Sequence, residues 1–299
     1  MSAPSSPAPL RGLLLIALAA ISWGTTGSVT TILVARADAH PLVIGAVRLV
    51  IGAVILIAAA RALTGTLTIA RADRLRCIAM GLTMAAFQAT YFTAVTLTGI
   101  AIAALLAICS APLMIAALAV VFLGERLTAR VGGALALGVV GTALLLVGPR
   151  TSADLVPRFV WGVVLALTAG LAYALYVVLG KAALRRSPPL PLAASNFAVA
   201  AVIMLPALAL PQAGPQVALG WPWLLYLGVV TTAGAYALYT LGLRHVSASA
   251  AGIGSLLEPL TATALGVLLF GERLGAAGAG GAVLMLAAFG LLVAAEGRG

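Results

Sequence analysis

Ten stretches of about 20 mostly apolar residues succeed one another along the chain, at approximately 11–35, 41–61, 74–97, 100–123, 130–148, 159–181, 190–210, 222–243, 248–270 and 276–295. A helix needs about 20 such residues to cross roughly 30 Å of hydrocarbon. In hydrocarbon only a helix or a closed barrel satisfies every backbone N–H and C=O. A soluble fold is excluded on composition, because 63% of the residues are apolar and 8% are charged, too few charges to cover a water-facing surface. The sequence therefore predicts an all-α polytopic membrane protein with ten transmembrane helices. Between the runs lie turn clusters such as Thr64-Gly65-Thr66, Ser187-Pro188-Pro189 and Gln212-Ala213-Gly214-Pro215, none long enough for a soluble domain. The first run is too long for the apolar region of a signal peptide and follows a lone Arg11, so it is expected to be retained.

The net charge of +10 would suggest nucleic acid in a soluble chain. Here the positive residues fall between apolar runs, with no basic stretch interleaved with aromatics, so the expected contact is anionic lipid and not nucleic acid. With the N-terminus inside, twelve Lys and Arg lie on the cytoplasmic side and four on the other. That bias requires an even helix count and places both termini in the cytoplasm of an inner-membrane protein. Trp161, Trp221 and Trp223 then share the outer interface. Cys77 and Cys109 sit inside apolar runs without CxxC spacing and read as small apolar residues.

An internal repeat organises the chain. Residues 124–127 and 271–274 both read Gly-Glu-Arg-Leu, and at the same offset of 147 Gly81 matches Gly228 and Pro112-Leu113 match Pro259-Leu260. About 15 of the 47 positions from 81 to 127 are identical at this offset. The units expected are 11–148 and 159–295, joined by 149–158 and flanked by tails 1–10 and 296–299. Each holds five helices, an odd number, so the second must enter the membrane from the opposite side. Inverted repeats of this kind are typical of secondary transporters, with substrate bound at midplane between the halves.

Several residues stand out at membrane depth. Glu258 lies about ten residues into the ninth run, hence roughly 15 Å deep at 1.5 Å per residue. A carboxylate there binds a substrate amine, couples to protons, or, neutral, caps a carbonyl freed by Pro259. Arg48 is the only basic residue well inside a run, and an ion pair with Glu258 would satisfy both. Pro112 and Pro259 occupy matched mid-helix positions and are hinge candidates, since each removes an N–H and frees a carbonyl four residues earlier, at Ile108 and Ser255. Trp23, Gln88, Tyr91, Tyr173, Tyr176, Tyr236 and Tyr239 are candidate substrate contacts; helix-to-helix hydrogen bonding is the plainer role for any one of them. Gln88 with Tyr91, Tyr173 with Tyr176, and Tyr236 with Tyr239 are i,i+3 pairs that share a helix face. Glu125 and Glu272 of the Gly-Glu-Arg-Leu elements fall beside helix termini, where a carboxylate has a structural role. Ala134, Gly138 and Thr142 follow a small-xxx-small spacing suited to close helix packing.

No Walker A, HExxH or Gly-x-Ser-x-Gly pattern is present, so no enzyme activity, catalytic residue, cofactor or metal site is expected. The repeated Pro-Leu and Gly-Glu-Arg-Leu elements, with Trp23-Gly24 and Arg48, resemble the EamA branch of the drug/metabolite transporter superfamily over residues 11–295. Within it, the likeness is to YddG-type amino-acid exporters. That resemblance implies ten helices, cytoplasmic termini, and export of aromatic and other neutral amino acids by alternating access. It also implies a central cavity lined by the third, fourth, eighth and ninth helices, which carry Gln88, Tyr91, Tyr236 and Glu258 here. The alternatives are another solute class, such as drugs or nucleotide sugars, a membrane-embedded lipid enzyme, or a channel. Multidrug exporters would favour an acidic residue early in the first helix, which is lacking. A monomer is compatible with all of this.

Overall fold

In the computed structural model, the residues described are 7–98, 100–146, 157–270 and 275–296. The second Gly-Glu-Arg-Leu element with Glu272, most of the 149–158 connection with Arg150, and the ends of both tails lie outside them. Ten apolar helices follow one another: α1 (Ala8–Ala37), α2 (Pro41–Thr64), α3 (Arg71–Thr98), α4 (Leu106–Leu123), α5 (Ala129–Leu144), α6 (Arg158–Ala183), α7 (Pro189–Ala209), α8 (Ala213–Leu243), α9 (Ala248–Leu269) and α10 (Ala276–Ala295). Nine are long and apolar enough to cross a membrane, and the tenth, α5, is apolar but shorter. No strand occurs among the described residues. The protein is an all-helical, multi-pass membrane protein.

One start differs from the sequence expectation. The Gln212–Pro215 cluster does not separate helices but begins one, so α8 starts at Ala213 rather than 222. Pro215 falls in the first turn, whose N–H groups have no helical acceptor in any case, and its ring therefore breaks nothing.

The packing is that of two exchanged units. The closely packed pairs include α2 with α7 and α5 with α10, which map onto themselves when the halves are exchanged, and α3 with α6, which maps onto α8 with α1. Individual contacts repeat the exchange. Gly81 on α3 meets Val199 on α7, and its mate Gly228 on α8 meets Ile51 on α2; a Cβ on either glycine would come within 2.5 Å of the facing side chain. Between α5 and α10, the small-residue stripe seats Thr142, which donates to the Gly138 carbonyl at 2.8 Å and lies 3.7 Å from Met285 Sδ.

The exchange is imperfect in the middle of the bundle. Helix α1 is interrupted at Thr25, between Pro7–Gly24 and Thr26–Ala37. Helix α9 is interrupted at Ser255 and Leu256, between Ala248–Gly254 and Leu257–Phe270. Their mates have no break at the matching positions: α6 runs as Pro157–Ala183, and the helix of α4 runs from Ile100 to Leu118 before a π-helical end, Ala119–Leu123. Pro112 and Pro259 are therefore not equivalent kinks: Pro112 sits inside a continuous helix, whereas Pro259 lies in the first turn after a break. The Ser255 carbonyl is not left free either, since it accepts from the Glu258 N–H at 3.0 Å. A third irregularity is a π-helical stretch in α8, Leu227–Gly234.

Candidate functional site

The breaks in α1 and α9 abut. A Cβ on Gly24 would come to 2.7 Å from the Glu258 carbonyl oxygen and 2.5 Å from Thr261, so glycine is what lets the two helices touch. The interruption in α1 is held by Thr25, whose hydroxyl donates back to the Ser22 carbonyl at 2.7 Å and lies 2.8 Å from the Tyr226 hydroxyl on α8. Glu258 is thereby carried in the first turn of a half-helix that starts inside the bundle, the end at which helix N–H groups favour a negative charge.

Arg48 on α2 is buried, 7% exposed. Its Nε donates to Thr232 Oγ1 at 3.0 Å and its Nη2 to Thr231 Oγ1 at 3.4 Å. Both threonine hydroxyls donate in turn to the Leu227 carbonyl, at 2.9 and 2.8 Å. In a regular α-helix the hydroxyls three or four positions on reach that carbonyl and the one five positions on does not. The wider π-turn brings the residue five positions on as well, so two adjacent threonines face the guanidinium. The expected Arg48–Glu258 ion pair is not closed. The ion pairs among the described residues are those of Asp73, and the threonine clamp already supplies the guanidinium with acceptors. Arg48, Tyr91 and Tyr236 all remain within electrostatic reach of the Glu258 carboxylate.

Between these elements lies a continuous set of aromatic rings. Trp23 meets Tyr236 with ring centres 4.8 Å apart, Tyr239 at 5.2 Å and Tyr173 edge-on at 6.4 Å. Tyr176 meets Tyr236 edge-on at 5.9 Å, and Phe197 on α7 meets it at 4.6 Å. Phe87 joins Tyr173 to Tyr91, at 5.7 Å from each. The Tyr173 hydroxyl lies 3.4 Å from Ser255 Oγ, at the α9 break. Trp23 Nε1 and the hydroxyls of Tyr176 and Tyr239 are buried without a hydrogen-bond partner. The Tyr239 hydroxyl is near those of Tyr173 and Ser255, and the Tyr176 hydroxyl near that of Thr240, each beyond hydrogen-bond length.

Six of the sequence-predicted aromatics thus come together, with Arg48 and Glu258 alongside Tyr236. Gln88 is buried one turn from Tyr91 on α3. Trp23, Tyr176, Tyr236 and Tyr239 are buried, whereas Phe87, Tyr91, Tyr173 and Glu258 are half-buried. A separate cavity of about 350 Å³ lies beside Leu67, Thr68, Ile69 and Arg74, at the α2–α3 connection. Sequence reasoning missed Phe87, Phe197, Thr231, Thr232 and Ser255. The adjacent Thr231-Thr232 in an otherwise apolar run was the available signal for the arginine clamp. Among the described residues no group of three or more His, Cys, Asp or Glu is placed to hold a metal ion.

The sequence pattern of the EamA-like transporter family matches twice, at residues 10–147 and 160–294. The protein named "Uncharacterized transporter YwfM" of Bacillus subtilis is 36% identical over 287 residues, which cover 94% of this chain and 92% of that relative. An "Uncharacterized transporter" of Archaeoglobus fulgidus is 34% identical over 187 residues, 62% of this chain and 64% of that relative. A solved crystal structure superposes with a TM-score of 0.80 at 22% identity, covering 96% of this chain and 98% of the other, a likeness of fold alone.

Proposed function

Because this chain belongs to the EamA-like transporter family and is a membrane transporter, we propose that it exports neutral amino acids, aromatic ones among them, or closely related zwitterionic metabolites. It does so across the inner membrane by alternating access of the units 11–148 and 159–295, with both termini in the cytoplasm. The resemblance of the sequence to YddG-type exporters supports this reading.

One observation carries the reading: the Arg48 guanidinium and the Glu258 carboxylate lie within electrostatic reach, both alongside Tyr236 of the aromatic cluster, and are not paired with each other. An unpaired charge at membrane depth costs several kcal/mol unless something answers it. A zwitterion answers both at once. Its carboxylate accepts from the guanidinium donors that the threonines leave over, and its ammonium meets the Glu258 carboxylate beside the Tyr236 ring. Its side chain is left among aromatic rings, which suits the mostly apolar lining of small-molecule sites. The positive-inside bias supports the orientation.

The test is counterflow of a radiolabelled amino-acid panel with purified protein in liposomes. The expected result is exchange of neutral amino acids, lost in Glu258→Gln and in Arg48→Ala. Exchange of organic cations or nucleotide sugars with no amino acid moving would overturn it.

A further inference from the structure

We propose that Trp23, Tyr176 and Tyr239 form a side-chain subsite that selects substrates whose side chain ends in a hydroxyl or a carboxamide over isosteres that lack one. The proposal rests on the zwitterion reading above and specifies which zwitterions the site prefers.

Five buried side-chain polar atoms without a hydrogen-bond partner are found among the described residues, and three of them fall in this one ring cluster: Trp23 Nε1 on α1, Tyr176 OH on α6 and Tyr239 OH on α8. Their residues are 5%, 1% and 0% exposed, so bulk water does not reach them in this conformation. Leaving such a group unmet costs about 1–3 kcal/mol, and three of the five fall in one ring cluster. Phenylalanine would fill the same space at either tyrosine without that cost.

The chemistry of the three atoms restricts what can answer them. The indole N–H is a donor only and needs an acceptor, whereas a tyrosine hydroxyl both gives and accepts. A substrate hydroxyl or carboxamide offers donor and acceptor at one point, and a hydrocarbon side chain offers neither. The Tyr173 hydroxyl is already beside Ser255 Oγ at 3.4 Å, whereas the Tyr239 hydroxyl stays beyond hydrogen-bond length of both and the Tyr176 hydroxyl beyond that of Thr240. Placement agrees with the role. Trp23 touches both Tyr236 and Tyr239, and Tyr236 is the ring within electrostatic reach of both Arg48 and Glu258. A zwitterion read by those two charges would extend its side chain past Tyr236 toward Trp23 and Tyr239. A site built to hydrogen-bond rejects the analogue lacking the group far more strongly than an apolar pocket rejects one that carries it.

The experiment is competition counterflow in proteoliposomes with two near-isosteric pairs, threonine against valine and glutamine against methionine. It uses the full-length wild-type protein and the ring-preserving variants Trp23→Phe and Tyr239→Phe, each first checked for a monodisperse gel-filtration peak. In the wild type, the polar member of each pair is expected to compete about tenfold better or more. In the variants that ratio should fall toward one, and because it is a ratio within each protein, any general loss of binding cancels. A wild-type ratio near one, or a ratio unchanged in both variants, overturns the subsite and leaves water as the partner of the orphaned atoms. Exchange of no amino acid at all overturns the zwitterion reading, and this one with it.

Discussion

The Ala248 N–H donates to Glu125 Oε1 at 2.6 Å, so a carboxylate from the end of α4 caps the start of α9 in the opposite unit. Glu125 Oε2 completes the cap by accepting from the Ser249 N–H at 3.1 Å and from its hydroxyl at 2.8 Å. The segment so held, Ala248–Gly254, is seven residues long and ends at the α9 break. A helical segment that short has little stability of its own. Gly124, with φ at 68°, makes the turn that aims the carboxylate. The site therefore depends on a contact at its periphery.

Removing that cap should be measurable. Glu125→Ala leaves the α9 N–H groups unmet and is expected to cost about 2 kcal/mol, while Glu125→Gln, whose single carbonyl oxygen keeps at most the two Ser249 bonds, costs less. Thermal unfolding of purified protein in detergent checks the order wild type, Gln, Ala. Arg126→Ala, at an exposed neighbouring position, should unfold with the wild type. A midpoint for Glu125→Ala equal to that of Arg126→Ala would remove the cap from the account.

The arginine clamp predicts a graded series. Thr232→Val keeps the shape of the side chain and deletes the acceptor of Arg48 Nε, a charge-assisted bond for which about 1.5–3 kcal/mol is expected. Arg48→Lys loses the fork that reaches two hydroxyls at once and should be worse than Thr232→Val in transport. Initial rates of counterflow, normalised to protein inserted, decide this. Equal rates for Arg48→Lys and wild type would mean that only the charge matters.

How much of this could be read beforehand follows from which forces act locally. The ten runs and their duplication were legible because hydropathy and the Gly-Glu-Arg-Leu copies are written in consecutive residues. Trp23 with Tyr236 and Tyr239 was legible as a set, because aromatic residues at membrane depth have few other uses. The break at Thr25 was not, since nothing in Trp23-Gly24-Thr25-Thr26 forbids a helix; it accompanies the approach of Gly24 to Glu258 and Thr261 on α9. The matched prolines misled for the same reason. Pro112 and Pro259 share an offset, yet helix α4 continues through the first and α9 breaks before the second. The Arg48 clamp needs a π-turn, and the hydrogen-bond register of a helix leaves no periodicity by which to find it.

Gly24 supplies a packing prediction. Adding a side chain there would bring it against the Glu258 carbonyl, a backbone atom that cannot rotate away. Gly24→Val is therefore expected to separate α1 from α9 and abolish counterflow, with Gly27→Val, where no atom lies within 4 Å, behaving as wild type. Comparable activity of the two variants would show that the α1–α9 contact is dispensable.

Two polar ties close opposite ends of the bundle, and their separation gives the last prediction. At one end the Ser187 hydroxyl, on the α6–α7 connection, donates to Asp73 Oδ2 at 2.9 Å while accepting from the Ala70 N–H at 3.1 Å. Arg76 holds the other Asp73 oxygen at 2.7 Å. At the opposite end Gln216, early in α8, donates to the Asp38 carbonyl at 2.6 Å and accepts from the His40 N–H at 3.0 Å. Alternating access would require the two ends to open in turn, so each tie should restrain one end and leave the other unaffected. Cys77 is a native reporter: it is buried on α3, four residues and so roughly 6 Å along the helix from Asp73. In a Cys109→Ala background, Asp73→Ala removes bonds to a charged group for which about 1.5–3 kcal/mol is expected, and it should speed maleimide labelling of Cys77 by about tenfold or more. Gln216→Ala should leave that rate unchanged, because the tie it breaks lies at the far end. Acceleration by both substitutions alike would mean general loosening of the fold rather than two independent closures.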